Sequence, residues 1–258
     1  MDLGLAGRTA IVTGASRGIG LAITRGLAVH GAHVIAGARR SSAELDQLAK
    51  ESSVRVLEVD LTDPDGPARL VALADAGPDI LVNNVGGAPA RTGGFLSISD
   101  EDWQASLTLN LMAAVRATRS VLPAMLAAGQ GSIVTICSVN AVLPDPAVLD
   151  YSAAKAALAG FCKALSKEVG PRGIRVNTVS PGPVATDLWL GDQGVAQTVS
   201  RATGAKAEDV ASQAAHGSVT GRFSRPEEVA DLVLLLASGR TSNVTGADFR
   251  IDGGLVPT

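Results

Sequence analysis

The chain has 258 residues, of which 46% are hydrophobic and 18% charged, and its formal net charge is −3. A mean hydropathy of +0.26 excludes a disordered chain and indicates enough apolar material to cover both faces of a sheet. The acidic balance provides no basic field for a phosphate backbone, and aromatic residues, at 3%, are too few for a base-stacking surface. We therefore expect one large α/β domain, residues 1–258, with metabolite chemistry and no nucleic-acid partner.

Targeting and membrane signals are weak. The first residues, MDLGLAGRTAIVTG, lack a basic region followed by an apolar segment and a cleavage site. The apolar run VADLVLLLAS (229–238) is too short to span a bilayer and is interrupted by Asp231. Cys137 and Cys162 lie in apolar stretches without CxxC spacing, which favours buried, reduced thiols. We expect a cytoplasmic protein with no membrane partner.

Short β-rich runs alternate with Ala/Leu-rich helical runs along the whole chain, a pattern typical of repeated βαβ units. The predicted strands are TAIVT (9–13), HVIAG (33–37), VRVLEV (54–59), ILVNN (80–84), SIVTIC (132–137), IRVNTVS (174–180) and ADFRID (247–252). The predicted helices are Gly18–His30, Ser42–Glu51, Pro64–Ala76, Asp100–Ala128, Tyr151–Gly170 and Pro226–Ser238. Seven strands and six helices predict a Rossmann-type, doubly wound parallel sheet, whose ligands bind beyond the carboxyl ends of the strands.

The segment 181–221 has no clear strand. It mixes Gly, Ala, Ser and Thr with one short helical pattern, AKAEDVASQAA (205–215). Long segments of this kind in compact domains are usually functional, so the sequence predicts a mobile substrate lid here. The alternative is a solvated surface insertion.

A glycine cluster, TGASRGIG, joins the first strand to the first helix, with Gly14, Gly18 and Gly20 at the turn and helix entry. Without a Cβ the backbone can approach a pyrophosphate closely, and the helix behind it supplies amide donors and a partial positive charge. Turns also need glycine, but this position between strand and helix predicts a dinucleotide site.

Six motifs stand together in one order: TGASRGIG, NNVGG (83–87), Asn110 within a helix, Ser138 after a strand, YSAAK (151–155) and PGPVATD (181–187). The ordered set resembles the short-chain dehydrogenase/reductase family, in particular members like 3-oxoacyl-(acyl-carrier-protein) reductase. The resemblance spans almost the entire chain. It implies a Rossmann fold and an oxidoreductase.

The resemblance also implies a set of cofactor contacts. They are Gly14, Ser16, Arg17, Gly18, Ile19, Gly20, Asp60, Leu61, Asn83, Gly86, Pro181, Gly182, Val184 and Thr186, together with Tyr151 and Lys155. By this resemblance Asp60 accepts a hydrogen bond from the adenine amino group; a helix N-cap is the alternative, although Asp63 fits that role better. Val85 stands where the family usually has Ala, which leaves the predicted cofactor wall intact.

Cofactor selection depends on the end of the second strand. An NAD-selective site normally places an acidic residue there for the ribose 2′-hydroxyl, but this chain has Ala38. Arg39, with Arg17 of the glycine loop, can pair with a 2′-phosphate through charge-assisted hydrogen bonds. The sequence therefore favours NADP(H) over NAD(H). The alternative is that these arginines only face solvent.

Tyr151 and Lys155 are one helical turn apart and so face the same side of a predicted helix. A phenol with an ordinary pKa of about 10 is a poor acid or base near neutral pH, and an ammonium beside it is expected to lower that pKa. The resemblance implies that Lys155 also holds the nicotinamide ribose, that Ser138 binds the substrate oxygen and that Asn110 supports a water-linked proton relay. Taken singly, each residue could also have a packing or capping role.

The predicted activity is a ketone reductase or secondary-alcohol dehydrogenase with a small carbonyl or alcohol substrate, and an acyl thioester is a candidate. The segments 88–94, 139–149 and 188–199 are mainly small or apolar, which suits a nonpolar substrate. Two alternatives remain: an NADPH-sensing module without turnover, and a sugar-nucleotide epimerase, which shares the YxxxK pair.

The three histidines, His30, His33 and His216, have no metal-binding spacing, and we expect no metal. By the family resemblance we expect a homotetramer formed through the apolar segments Trp103–Ala128 and Ala153–Leu165.

Overall fold

The computed structural model describes residues 2–75 and 77–257, which form one seven-stranded sheet flanked by helices. The strands are β1 (Thr9–Thr13), β2 (His33–Ala38), β3 (Val54–Glu58), β4 (Ile80–Asn83), β5 (Gly131–Ile136), β6 (Ile174–Pro181) and β7 (Asp248–Ile251). All pairings are parallel, in the order β3-β2-β1-β4-β5-β6-β7. The predicted Rossmann-type sheet is confirmed. Its direction of winding reverses between β1 and β4, which places a crevice at their carboxyl ends.

The helices occupy the connections between the strands. They are α1 (Gly18–Val29), α2 (Ala43–Glu51), α3 (Gly66–Val71), α4 (Asp100–Leu107), α5 (Ala113–Ala128), α6 (Leu149–Val169), α7 (Asp187–Leu190), α8 (Val195–Thr203), α9 (Ala207–His216) and α10 (Pro226–Ala237). Several helices begin at side-chain caps: Ser42 caps α2, and Ser99 forms a capping box with Asp102 at the start of α4.

Two predicted helices differ from the structure. The predicted helix Asp100–Ala128 is interrupted by a π-helical turn, Thr108–Met112. The five residues of this turn, TLNLM, include no Gly or Pro that would have marked the interruption. The predicted helix Pro64–Ala76 is shorter and spans only Gly66–Val71. The amides of Leu73 and Ala74 bond to carbonyls three residues back, which ends the helix in tight turns. The predicted endpoint Ala76 lies outside the described residues.

Apolar clusters cover both faces of the sheet. On one face, alternate strand residues such as Val12 and Val34 pack against α1 and α10. On the other, Ile11 and Leu81 join side chains of α5 and α6, including Val121. This two-sided burial explains why the strands are almost continuously apolar.

The run Asp100–Ala128 is long and apolar enough to cross a membrane by length and composition alone, and 33% of its most apolar window is buried. Core helices of globular proteins meet the same criterion, and Ala117, Val121 and Met125 of this run lie in the hydrophobic core. The run is therefore weak evidence for a membrane span.

The segment 181–221 contains three helices. The predicted helical pattern AKAEDVASQAA corresponds to α9, whereas α7 and α8 were not predicted. Val184 forms a parallel bridge with Ser224, which ties the start of the segment to the residues that follow it. The proposed lid is thus a helical excursion after β6 that returns beside its own beginning.

Leu81 in β4 offers a test of the packed sheet, because its side chain is fully buried in the cluster that β4 forms with α5 and α6. We expect Leu81→Ala to reduce the free energy of unfolding by about 2–5 kcal/mol, since it removes apolar contacts and leaves a cavity. Val29→Ala at the exposed end of α1 is the control and should cost less than about 0.5 kcal/mol. Urea denaturation measures both, and equal costs would contradict the packing described here.

Candidate active site

The glycine loop between β1 and α1 has a backbone conformation and close contacts that residues with a Cβ do not fit. Gly14 has φ +68° and Gly18 has φ +53°, both in the left-handed region. A Cβ on Gly20 would lie 2.1 Å from the carbonyl oxygen of Gly14. The loop therefore forms a close-fitting backbone cradle, which suits the pyrophosphate of a dinucleotide.

Asn84 holds this cradle in place. Its Nδ2 donates to the carbonyl oxygens of Thr13 at 2.9 Å and Gly14 at 3.0 Å, and its backbone amide donates to the Thr13 hydroxyl at 2.9 Å. The neighbouring Asn83, which is the predicted cofactor contact, does not make these hydrogen bonds. The Asn83 side chain is buried, and its Nδ2 donates to the hydroxyl of Thr118 at 3.1 Å. Successive strand residues point to opposite sides, and this alternation could have distinguished Asn84 from Asn83.

The N-terminus of α1 is open to an anion. Arg17, the N-cap residue, makes no side-chain cap, and the first turn contains no acidic residue. Ser16 faces α2 through its carbonyl oxygen, which accepts a hydrogen bond from Ser42 at 2.7 Å. Ile19 packs against the apolar cluster under the loop. The amides of this turn therefore remain available to a phosphate.

The segment after β6 crosses above the glycine loop. A Cβ on Gly18 would lie 3.1 Å from Cγ2 of Thr186, so no atom fits between them. The amide of Gly182 donates to the carbonyl oxygen of Ile251 at 3.0 Å, which fixes the end of the strand that closes with Pro181. Val184 is buried beside this turn. The residues after β6 thus lie in direct contact with the glycine loop, at the same carboxyl edge of the sheet.

The adenosine end of the expected site is solvent-exposed. Hydrogen bonds from the hydroxyl and amide of Thr62 lower the pKa of Asp60, and the charge of Arg39 contributes to the same shift. Arg39 therefore lies near Asp60, where the ends of β2 and β3 meet. Leu61 is buried in the core, so only its backbone can face this surface. Arg17 lies 3.7 Å from Asp187 of α7, and both side chains are exposed.

Tyr151 and Lys155 lie in the first two turns of α6, both buried, with the lysine Nζ 5.7 Å from the centre of the phenol ring. Lys155 Nζ donates to the carbonyl oxygen of Ile136 at 2.8 Å, which attaches α6 to the end of β5. Ser138 follows two residues later; its hydroxyl accepts from the Asn140 amide at 3.1 Å and is hydrogen-bonded with Tyr151. The phenol, hydroxyl and amine therefore meet at one strand end.

Asn110 reaches the same place from the π-helical turn. Its carboxamide makes two 3.0 Å hydrogen bonds with the backbone of Gly87, donating to the carbonyl and accepting from the amide. A Cβ on Gly86 would lie 2.9 Å from Asn110 Oδ1 and 3.5 Å from Lys155 Nζ. The structure thus brings Asn110, Ser138, Tyr151 and Lys155 together beside Gly86.

Burial dominates the electrostatics of this cluster. It raises the pKa of Tyr151 to about 12, while the Ser138 hydrogen bond acts in the opposite direction. Burial also lowers the pKa of Lys155. The expectation that Lys155 lowers the phenol pKa is wrong for this structure, because desolvation penalises the charged forms of both groups. Cys137 and Cys162 are buried free thiols, as expected, and burial raises the pKa of each.

A doubly wound sheet with a glycine loop at its crevice and a Ser, Tyr and Lys cluster beside it defines a dinucleotide-dependent class of enzyme. Residues 14–256 match a protein family described as enoyl-(acyl carrier protein) reductase. The chain is 37% identical to 3-oxoacyl-[acyl-carrier-protein] reductase of Thermotoga maritima, across 98% of this chain and 99% of that protein. It is 36% identical to the oxidoreductase UcpA of Escherichia coli K12, across 97% and 95% respectively.

Solved structures give the same result. L-Sorbose reductase from Gluconobacter frateurii, complexed with NADPH and L-sorbose, superposes with a TM-score of 0.89 at 36% identity and covers 100% of both chains. A 3-oxoacyl (acyl-carrier-protein) reductase from Agrobacterium tumefaciens C58 with NADP bound superposes with a TM-score of 0.85 at 32% identity, across 98% of this chain and 96% of that one. The chain belongs to the short-chain dehydrogenase/reductase family of oxidoreductases.

The raised pKa of Tyr151 makes stability depend on pH. Its folded pKa of about 12 exceeds the ordinary value of 10.0, so the stabilisation is complete below pH 10 and is lost as pH rises towards 12. Relative to Tyr151→Phe, which lacks the titrating hydroxyl, the wild-type protein should lose about 1 kcal/mol of unfolding free energy between pH ~9 and ~11.

Urea denaturation of both proteins at the two pH values measures this loss. Because Tyr151 is the only tyrosine, the tyrosinate absorbance reports the same group directly. A stability difference that is independent of pH would contradict the effect of burial.

Proposed function

We propose that this protein interconverts a ketone and a secondary alcohol with NADP(H), and that Tyr151 is the general acid and base. The observation that supports this most directly is the meeting of Tyr151, Ser138 and Lys155 at the end of β5, next to the glycine loop. Two hydroxyl donors that reach one point are suited to a single substrate oxygen.

In the reductive direction, Ser138 holds the carbonyl oxygen by a hydrogen bond and Tyr151 donates its proton to that oxygen. A nicotinamide held beside the glycine loop would supply the hydride for the carbonyl carbon. Burial keeps the phenol protonated near neutral pH, which suits a proton donor. Lys155 compensates the phenolate that remains, and Asn110 supports the water-linked path by which Tyr151 regains a proton. Alcohol oxidation follows the same steps in reverse.

Residues at the ends of β2 and β3 support the preference for NADP(H). Ala38 offers no carboxylate to a ribose 2′-hydroxyl, and Glu58, its partner on β3, accepts a hydrogen bond from the Ser41 amide at 2.8 Å. Among the described residues Arg39 makes no salt bridge, and the contact of Arg17 with Asp187 is long and exposed. Both arginines are suitable partners for a 2′-phosphate.

The loops at the carboxyl edge support a substrate with a nonpolar chain. Large apolar side chains are exposed on three of them: Phe95 and Leu96 after β4, Val142 and Leu143 after β5, and Leu188 and Leu190 in α7. Exposed apolar surface at a site entrance favours an acyl chain, such as that of an acyl thioester, over a polyol.

We also propose a homotetramer, which light scattering can test by the mass of the purified protein.

Tyr151→Phe tests the proposed mechanism, because it removes the acidic hydroxyl and keeps the ring. With NADPH and a panel of ketones and 3-oxoacyl thioesters, we expect kcat to fall by about 10²–10⁴-fold. Cofactor binding, followed by NADPH fluorescence, should change by less than about twofold. Full activity in the variant would reject the mechanism, and wild-type binding of NADPH without turnover would favour the sensing module.

Arg39→Ala tests cofactor selection. Loss of one charge-assisted hydrogen bond worth about 1.5–3 kcal/mol should weaken kcat/KM for NADPH by about 10- to 100-fold and leave that for NADH nearly unchanged. Arg40→Ala, an exposed neighbour, is the matched control. Equal losses for both cofactors in the Arg39 variant would contradict the assignment.

A further inference from the structure

A buried ion cluster lies directly behind the predicted catalytic tyrosine. Asp150, the residue before Tyr151, is fully buried in the first turn of α6. Its carboxylate is bound at both oxygens by Arg91, whose Nη2 lies 2.6 Å from Oδ2 and whose Nε lies 3.3 Å from Oδ1. Arg91 Nη1 donates to Asp102 of α4 at 2.9 Å. One guanidinium thus serves two carboxylates.

Arg91 also connects separate parts of the chain through its backbone. It belongs to the segment after β4, and its amide donates to the carbonyl oxygen of Ala147 at 2.6 Å, just before α6. The side chain of Arg91 is 15% exposed and that of Asp102 is 39% exposed. Arg91 therefore joins the β4 segment, the start of α6 and the start of α4 at one point.

The same segment after β4 also binds the side chain of Asn110 through hydrogen bonds. Gly87 makes both backbone hydrogen bonds with the Asn110 carboxamide, four residues before Arg91 binds Asp150. Residues 87–91 thus form a short connection between the asparagine and the helical turn that carries Tyr151. The relative position of these two groups depends on that connection.

We infer that Arg91 is a positioning residue, which fixes the first turn of α6 against the 87–91 segment and so sets Tyr151 relative to Asn110 and Ser138. This inference rests on the proposed function for its kinetic consequence. A guanidinium is suited to the role because its planar fork binds a carboxylate at two points and fixes orientation as well as distance. The burial of Asp150 makes the pairing obligatory, because an unpaired carboxylate there would be strongly unfavourable.

The test compares Arg91→Gln with a matched pair at the opposite edge of the sheet. Arg8 lies 2.7 Å from Asp79, before β1 and β4, and is remote from the site, so Arg8→Gln is the control. In Arg91→Gln we expect kcat to fall by at least about tenfold, while KM and the Kd of NADPH change by less than about threefold. Arg91→Lys should recover part of kcat, because it keeps the charge but not the fork.

A second variant separates positioning from stability. Arg91→Gln combined with Asp150→Asn removes the stranded charge, so its Tm should lie closer to that of the wild-type protein than the Tm of Arg91→Gln alone. Its kcat should remain at least about fivefold low, because neutral amides do not reproduce the fork. A kcat that recovers with Tm would overturn the positioning role. So would an Arg91→Gln protein with kcat within about twofold of Arg8→Gln.

Amide hydrogen exchange gives a readout that does not need turnover. In Arg91→Gln, the segments 86–91 and 149–153 should exchange faster, and in Arg8→Gln they should not. Absence of wild-type turnover on the substrate panel would reject the proposed function alone. Unchanged exchange in both segments would reject the positioning role whether or not the enzyme turns over.

Discussion

The rest of the site depends on the hydrogen bond that the buried Lys155 side chain makes at the end of β5. An ammonium removed from water needs an acceptor, and here the carbonyl oxygen of Ile136 provides one at 2.8 Å. A second hydrogen bond runs from the thiol of Cys137 to the carbonyl oxygen of Lys155 at 3.3 Å. These two contacts join α6 to β5 in one register. Because Tyr151 precedes Lys155 by one turn, the same register brings the phenol to Ser138.

A second constraint comes from the parallel sheet. The segments that follow β1, β4, β5 and β6 leave one edge, so residues far apart in the chain converge there without long loops. Asn84 joins the first two of these segments by donating to the backbone of Gly14. Thr186 closes the crevice from the other side, in contact range of the glycine loop. Glycine leaves the backbone open at this crevice, where we propose that the cofactor binds.

Burial that fixes the geometry also sets the protonation state. Tyr151 and Lys155 are both desolvated, which raises the pKa of the phenol and lowers the pKa of the amine, so the neutral form of each is favoured. A neutral phenol is ready to donate a proton, whereas alcohol oxidation first requires it to lose one.

The amino-acid sequence by itself determined the seven parallel strands, the position of the glycine loop and the spacing of Tyr151 and Lys155. These features are local: apolar runs of strand length, glycines at a turn and residues one helical turn apart are visible in the order of the residues. Ser138 and Asn110 were predicted from the ordered motifs that resemble the short-chain dehydrogenase/reductase family. The sequence also predicted one long helix where the structure has a π-helical turn around Asn110, because the residues of that turn include no Gly or Pro to mark it.

Only the tertiary structure decided the features that depend on distant parts of the chain. The raised pKa of Tyr151 comes from neighbours that bury it, and sequence spacing alone predicted the opposite sign. The contact of Asn84 with the glycine loop and the pairing of Arg91 with Asp150 join residues 59 or more positions apart. Such contacts could not be predicted from the order of the residues, because the burial and pairing of side chains depend on how all the elements pack together.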